Sequence, residues 1–177
     1  MNLTDTDFQL FAVPATFTQD RAALDARWKE LQREAHPDRF AAQGAADQRI
    51  AMQWSVRINE AYQRLKDPVK RASYLCELHG AQIDAERNTA MPGAFLMQQM
   101  EWREALDDAQ DAASVEQLGS QMAVARDAVL TQIAELLDVR HDHKAASEQV
   151  RALMFIERFA LDVDARAERL ETTPRGQ

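Results

Sequence analysis

Apolar residues recur at steps of three and four along two stretches in the first half of the chain, which is the spacing of a helix with one buried face. The two sets are Leu24, Trp28, Leu31 and Ala35, and then Ile50, Trp54, Ile58, Ala61 and Leu65. Pro37 and Pro68 end the stretches, because proline disfavours helical geometry at the residue before it. Two such helices with a short loop between them predict an antiparallel hairpin.

Shorter segments on both sides of the hairpin also have helical character. Residues 8–13 form an apolar segment, and residues 69–79 predict a short helix that Gly80 closes, because glycine suits the left-handed cap of a helix C-terminus. We expect Thr18 to cap the first hairpin helix. The polar residues 81–93 then predict a linker.

Three further helical stretches follow the linker, over about 94–110, 115–138 and 144–170. Ser114 and Gln117 form a capping-box pattern, which we expect to open the middle stretch. A three-helix bundle is the economical way to pack these three stretches against one another.

The predicted fold is all-α, and it has three parts along the chain. A helical hairpin with short flanking helices spans 1–80, a linker spans 81–93, and a helical bundle spans 94–171. Acidic and basic residues balance within 1–80, so the net charge of -8 comes from the rest of the chain. Two regions of different charge suggest two functional units, and the acidic balance opposes binding to nucleic acid.

The composition is that of a globular helical protein, with 46% hydrophobic and 28% charged residues and only five glycines and five prolines. One cysteine, Cys76, excludes an intramolecular disulfide and any site of several thiolates made by this chain alone. We therefore expect no cofactor and no metal.

The N-terminal residues have no basic region followed by an apolar one, and we expect a cytoplasmic protein.

His36, Pro37 and Asp38 are predicted to form an exposed turn at the tip of the hairpin. Cations lie on the helix before this turn and directly after it, and they are Arg27, Lys29, Arg33 and Arg39. Such cations attract an acidic partner surface over a distance, while a rigid proline turn presents an imidazole and a carboxylate as specific hydrogen-bonding groups.

This arrangement resembles a J-domain. The resemblance continues through residues 58–62 and through residues 68–74, which are similar to the Lys-Arg-x-x-Tyr helix that closes J-domains. In J-domains the tripeptide engages the ATPase of a heat-shock chaperone of the DnaK/HscA kind and promotes ATP hydrolysis there. The resemblance implies a non-enzymatic co-chaperone in which His36, Pro37 and Asp38 bind the chaperone, with the four cations as additional candidates.

The first helix of the bundle has two different faces. At about 100° per residue, Phe95, Trp102, Leu106 and Ala109 share one face, which we expect to be buried. The residues roughly opposite are Leu96, Met97, Met100, Glu101, Glu104 and Asp108. An exposed Leu-Met cluster with carboxylates along its edge is typical of a partner-binding surface.

Residues 71–80 and 95–104 resemble the HscB family of iron–sulfur co-chaperones. The resemblance implies that the outward face of the first bundle helix binds the cluster-scaffold protein IscU, and that Phe155 on the last helix joins it. The chain would then deliver IscU to the chaperone and assist iron–sulfur cluster maturation. We expect a monomer without nucleic-acid or membrane partners.

Other functions fit the sequence less well. His141, Asp142 and His143 suggest a metal-dependent hydrolase, but residues two apart on a helix do not face each other, and no separate ligand set completes a site. A polar turn between helices explains them better. A J-domain co-chaperone for a different client is also open, because the iron–sulfur link depends on resemblance alone.

Overall fold

The computed structural model of the chain describes residues 2, 4–40, 44–85 and 89–172, and every regular element within them is helical. Seven α-helices follow one another there: α1 Asp7–Phe11, α2 Arg21–Glu34, α3 Ala45–Lys66, α4 Pro68–Leu78, α5 Gly93–Asp108, α6 Ala112–Ala134 and α7 His143–Thr172. A 3₁₀ turn, Pro37–Phe40, comes between α2 and α3, and a π-helical turn, Glu135–Val139, follows α6.

The chain separates into two compact units, Met1–Leu75 and Cys76–Gln177. The predicted all-α fold is confirmed, with a helical hairpin in the first unit and a three-helix bundle in the second. None of the helices in the described ranges is long and apolar enough to cross a membrane.

The first unit is built on the pairing of α2 with α3 along the predicted apolar stripes. Leu24 and Leu31 of α2 and Ile58 and Leu65 of α3 are all buried. Ile50 was expected on the same buried face, and this prediction is wrong, because its side chain is 52% exposed. With 22 residues against 14, α3 is longer than α2, so its first turns extend past the end of α2.

Two helices begin at an aspartate rather than at the hydroxyl residue that the sequence suggested. Asp20, not Thr18, caps α2, and its carboxylate accepts hydrogen bonds from two backbone N–H groups of the first turn at 2.8 and 3.2 Å. Asp111, not Ser114, caps α6, and the side-chain and backbone hydrogen bonds from Ser114 hold the pKa of Asp111 below its ordinary value. A carboxylate also interacts favourably with the positive end of the helix dipole, which a hydroxyl does not.

The short helix α1 is fixed by a buried carboxylate. Asp7 is fully buried, with Oδ1 2.6 Å from Arg57 Nη2 and Oδ2 2.7 Å from Arg64 Nη1. Its backbone N–H donates to the hydroxyl of Tyr74 at 3.1 Å, and the ring of Phe8 stacks on the ring of Tyr74. These contacts join α1 to α3 and α4 within the first unit.

In the second unit, α5, α6 and α7 pack around an apolar core. The buried side chains of α6 and α7 include Leu118, Ile133, Val150, Leu153 and Ile156. Arg126 of α6 pairs with Glu157 of α7 at 3.0 Å on the outside of the bundle.

The irregular segment before α5 is attached to α7 by one arginine. Arg151 is buried, and its guanidinium donates hydrogen bonds to the backbone carbonyls of Ile83 at 3.2 Å and of Ala90 at 2.6 Å. The predicted linker, 81–93, includes residues 86–88, which lie outside the described residues. The assignment of separate functions to residues 1–80 and 94–171, with this segment as the linker, stays a prediction.

We expect Asp7→Asn to lower the free energy of unfolding of the chain by about 2 to 3 kcal/mol. The substitution leaves two arginines beside a neutral buried amide, and their partial exposure keeps the cost below that of a fully buried broken pair. Urea unfolding followed by circular dichroism measures the change. Glu60→Gln, an exposed change on α3, is the control, and equal unfolding free energies for the two variants would contradict the role given to Asp7.

Candidate functional site: the His-Pro-Asp turn and the outer face of α5

The turn after α2 presents two polar side chains to solvent. The side chain of His36 is 57% exposed and that of Asp38 is 90% exposed. The backbone N–H of Asp38 donates to Nδ1 of His36 at 3.3 Å, and Arg39 N–H donates to the His36 carbonyl at 3.0 Å, which closes the 3₁₀ turn that Pro37 begins. With Nδ1 turned toward the backbone of the turn, Nε2 is the ring nitrogen of His36 left to contact a partner.

Hydrogen bonds between α2 and α3 hold the base of the turn. Ser55 Oγ donates to the carbonyl of Ala35, the last residue before the turn, at 3.1 Å. Gln32 and the indole N–H of Trp28 both donate to the side-chain oxygen of Asn59, at 2.8 and 2.9 Å. Periodicity assigns no role to Gln32 or Ser55, because it marks apolar positions and not the polar residues beside them.

The four candidate cations do not have equal surroundings. Arg27 is half-buried, and its guanidinium pairs with Glu30 of the same helix at 3.2 Å. Lys29, Arg33 and Arg39 are exposed, and none of them has a carboxylate within 4.0 Å among the described residues. These three are therefore better placed than Arg27 to meet an acidic partner.

The predicted outward face of α5 is exposed along its length. Trp102, on the opposite face, is only 2% exposed. Leu96, Met97 and Met100 are 46%, 64% and 61% exposed, an unusual exposure for three large apolar side chains on one helix face. The acidic residues of the same face are exposed as well, and they are Glu101, Glu104 and Asp108. The residues therefore form one apolar cluster with a carboxylate edge, although their binding role stays a prediction.

Phe155 of α7 lies beside α5 on the side that carries Phe95, and its predicted part in the outward binding face stays a prediction. Its ring makes an edge contact with Phe95 of α5 at 5.8 Å between centroids and stacks on Phe159 at 5.6 Å. The guanidinium of Arg103 lies over the Phe155 ring, 5.5 Å from its centroid. Phe155 is half-buried, so part of its ring is open to solvent beside α5.

Comparison with known proteins shows the family to which the chain belongs. Residues 91–164 match the family model described as the HSCB C-terminal oligomerisation domain. The chain is 55% identical to the co-chaperone protein HscB homolog of Burkholderia multivorans, with 97% of this chain and 99% of that protein covered. This chain belongs to the HscB co-chaperone family. The predicted family is thus confirmed.

Solved HscB structures have the same fold. HscB from Vibrio cholerae is 33% identical, with a TM-score of 0.79 over 94% of this chain and 99% of that one. The human co-chaperone HscB is 25% identical, with a TM-score of 0.87 over 96% of this chain and 86% of that one. These HscB relatives are named chaperones or co-chaperones and not enzymes.

His141, Asp142 and His143, which suggested a metal site in the sequence, each make a different structural contact. Nδ1 of His141 lies 3.0 Å from a backbone carbonyl oxygen of the preceding π-helical turn. The carboxylate of Asp142 accepts a backbone hydrogen bond at the start of α7, and the ring of His143 stacks on His79. Within the described ranges, no group of three His, Cys, Asp or Glu side chains is placed to hold a metal ion.

The reactivity of the Cys76 thiol tests how closely the protein is packed around it. The thiol is fully buried, and this burial raises its pKa from 9.0 to about 11. Because only the thiolate reacts, we expect iodoacetamide at pH 7.5 to modify the folded chain at least about a hundredfold more slowly than the urea-unfolded chain. Mass spectrometry of timed samples measures both rates. Equal rates in the two states would show that Cys76 is accessible.

Proposed function

We propose that this chain stimulates the ATPase of a DnaK/HscA-type chaperone through His36, Pro37 and Asp38. The observation that carries the proposal is the exposure of the His36 and Asp38 side chains on a turn that an internal backbone hydrogen bond closes and that Ser55 holds at its base. A proline turn with internal hydrogen bonds loses little conformational entropy when a partner binds it. Lys29, Arg33 and Arg39 supply the positive field that attracts an acidic chaperone surface.

We further propose that the second unit binds the iron–sulfur scaffold protein IscU and delivers it to the chaperone, which assists cluster maturation. The exposed cluster of Leu96, Met97 and Met100 supports this role, since methionine adapts its shape to a partner at little cost. Carboxylates only accept hydrogen bonds, so the acidic edge gives the contact a preferred orientation. Phe155 extends the apolar area toward α7.

Each part of the chain then has a function of its own. Residues 1–80 act as the J-domain, 81–93 as the linker and 94–171 as the client-binding bundle. The compartment that we propose is the reducing cytoplasm, where a free buried thiol such as Cys76 is common.

His36→Gln is expected to reduce the stimulated ATPase rate to the rate of the chaperone alone. The imidazole donor and its contact with Asp38 are lost, while the side chain is exposed and the fold should keep its thermal unfolding midpoint. Steady-state phosphate release from an HscA-type and a DnaK-type chaperone measures the effect. His141→Gln, an exposed histidine in the second unit, is the matched control. Full stimulation by His36→Gln would refute the J-domain assignment.

Replacing Leu96, Met97 and Met100 together with alanine is expected to weaken IscU binding about a hundredfold. Each truncation removes apolar area worth about 1 kcal/mol in a buried contact, and 1.4 kcal/mol corresponds to a tenfold change in affinity. Titration calorimetry measures the affinity, and stimulation of the chaperone in the absence of IscU should stay unchanged. Val124→Ala, at an exposed apolar residue of α6, is the control. Unaltered affinity in the triple variant would exclude this face as the IscU surface.

A further inference from the structure

A groove of about 750 Å³ lies between α5 and α7. Its floor is apolar and consists of Leu106, Phe155 and Phe159. Its walls carry two aspartates and four arginines, and the arginines are Arg103, Arg158, Arg166 and Arg169. A concentration of positive charge is unexpected in the half of the chain that carries the whole negative net charge.

Three of these arginines have no ion pair within the described part of the chain. Among residues 2, 4–40, 44–85 and 89–172, no carboxylate oxygen lies within 4.0 Å of a guanidinium nitrogen of Arg103, Arg158 or Arg166. An aspartate stands four residues after two of them, at the spacing that favours an ion pair on a helix. Elsewhere in the same unit, Arg126 does pair with Glu157. The charges of these three arginines are therefore not neutralised by ion pairs with the described carboxylates.

The geometry of two arginines shows donors that an acceptor in the groove could use. Arg166 donates from Nη2 to the carbonyl of Ala109 at 2.6 Å, but its Nε is buried without a hydrogen-bond partner among the described residues. This Nε has almost no accessible surface, so a ligand in the groove meets the other parts of the Arg166 guanidinium that line it. Arg103 stacks on Phe155, a contact that fixes a guanidinium while its N–H groups at the edge remain able to donate.

We infer that this groove binds an acidic segment of the same client that covers the exposed face of α5. The inference rests on the proposed function of the second unit. Carboxylates of the segment pair with the arginines, which match a carboxylate with two parallel hydrogen bonds, and an aliphatic or aromatic side chain of the segment covers the Phe155–Phe159 floor. Arg103 connects the two surfaces, because it lines the groove and lies only about 20° from Leu96 around the axis of α5, seven residues further along the helix.

The chemistry of the groove selects a peptide over a nucleic acid. An apolar floor needs an apolar side chain to cover it, and the negative charge of the surrounding unit repels a long polyanion. At 100° per residue on α5, the carboxylates Glu101 and Asp108 lie on one side of the Leu-Met cluster and Arg103 lies on the other. The combined surface thus has an acidic edge and a basic edge. It fits a client that carries a basic group and an acidic segment on opposite sides of an apolar contact.

The experiment compares two charge reversals in the full chain, Arg158→Glu in the groove and Arg140→Glu outside it. Both residues are exposed, and both substitutions change the net charge of the second unit equally. We expect Arg158→Glu to weaken IscU binding at least tenfold in calorimetry and Arg140→Glu to have little effect. Arg158→Gln, which removes the charge and keeps much of the side chain, should fall between them. Added salt should weaken the wild-type complex more than the Arg158→Glu complex.

These variants distinguish client binding in the groove from client binding on the exposed face of α5. Equal affinities for Arg158→Glu and Arg140→Glu, together with a loss of binding in the Leu96, Met97 and Met100 triple variant, would overturn the inference and leave the IscU surface on α5 in place. Unchanged binding in both Arg158→Glu and the triple variant would overturn both. A loss specific to Arg158→Glu supports the groove.

Discussion

Burial of one apolar stripe along each long helix is the constraint on which the exposed surfaces of this chain depend. A helix that buries Trp102 cannot rotate about its axis without exposing a large indole to water. Residues that lie a third of a helical turn or more from Trp102 around α5, such as Leu96 and Met97, are therefore exposed to solvent. In the first unit, Leu24 fixes α2 in the same way, so Lys29 faces solvent. The core thus determines which residues a partner can reach.

The His-Pro-Asp turn combines two electrostatic effects that act over different distances. Exposed cations attract an acidic surface over roughly 8 Å at physiological ionic strength, whereas a hydrogen bond from His36 acts only at contact. Attraction without a fixed contact gives little specificity. The turn supplies that contact because Pro37 restricts its backbone and Ser55 binds the carbonyl at its base. The resulting orientation of His36 and Asp38 exists before any partner arrives.

Much of the fold followed from the sequence, and the differences have a common cause. Helical spacing correctly separated Trp102 from Met97 and Met100, because this property belongs to one helix alone. The spacing failed at Ile50, since its burial depends on how far the neighbouring helix extends. The buried ion pairs of Asp7 could not be foreseen for the same reason, as they join residues distant in sequence. Local pattern predicts which face is apolar, and only the packing decides what covers that face.

The second unit shows how net charge and local charge can act differently on the same client. Its acidic excess determines the field at a distance, so a client with basic character is attracted first. Salt screens the groove arginines beyond roughly 8 Å, and the acidic excess opposes their field at a distance, so their effect is strongest at contact. Under the proposed function, the acidic edge governs the rate of encounter, and the arginines govern which of the attracted clients stays bound. A basic protein without an acidic segment would then associate quickly and dissociate quickly.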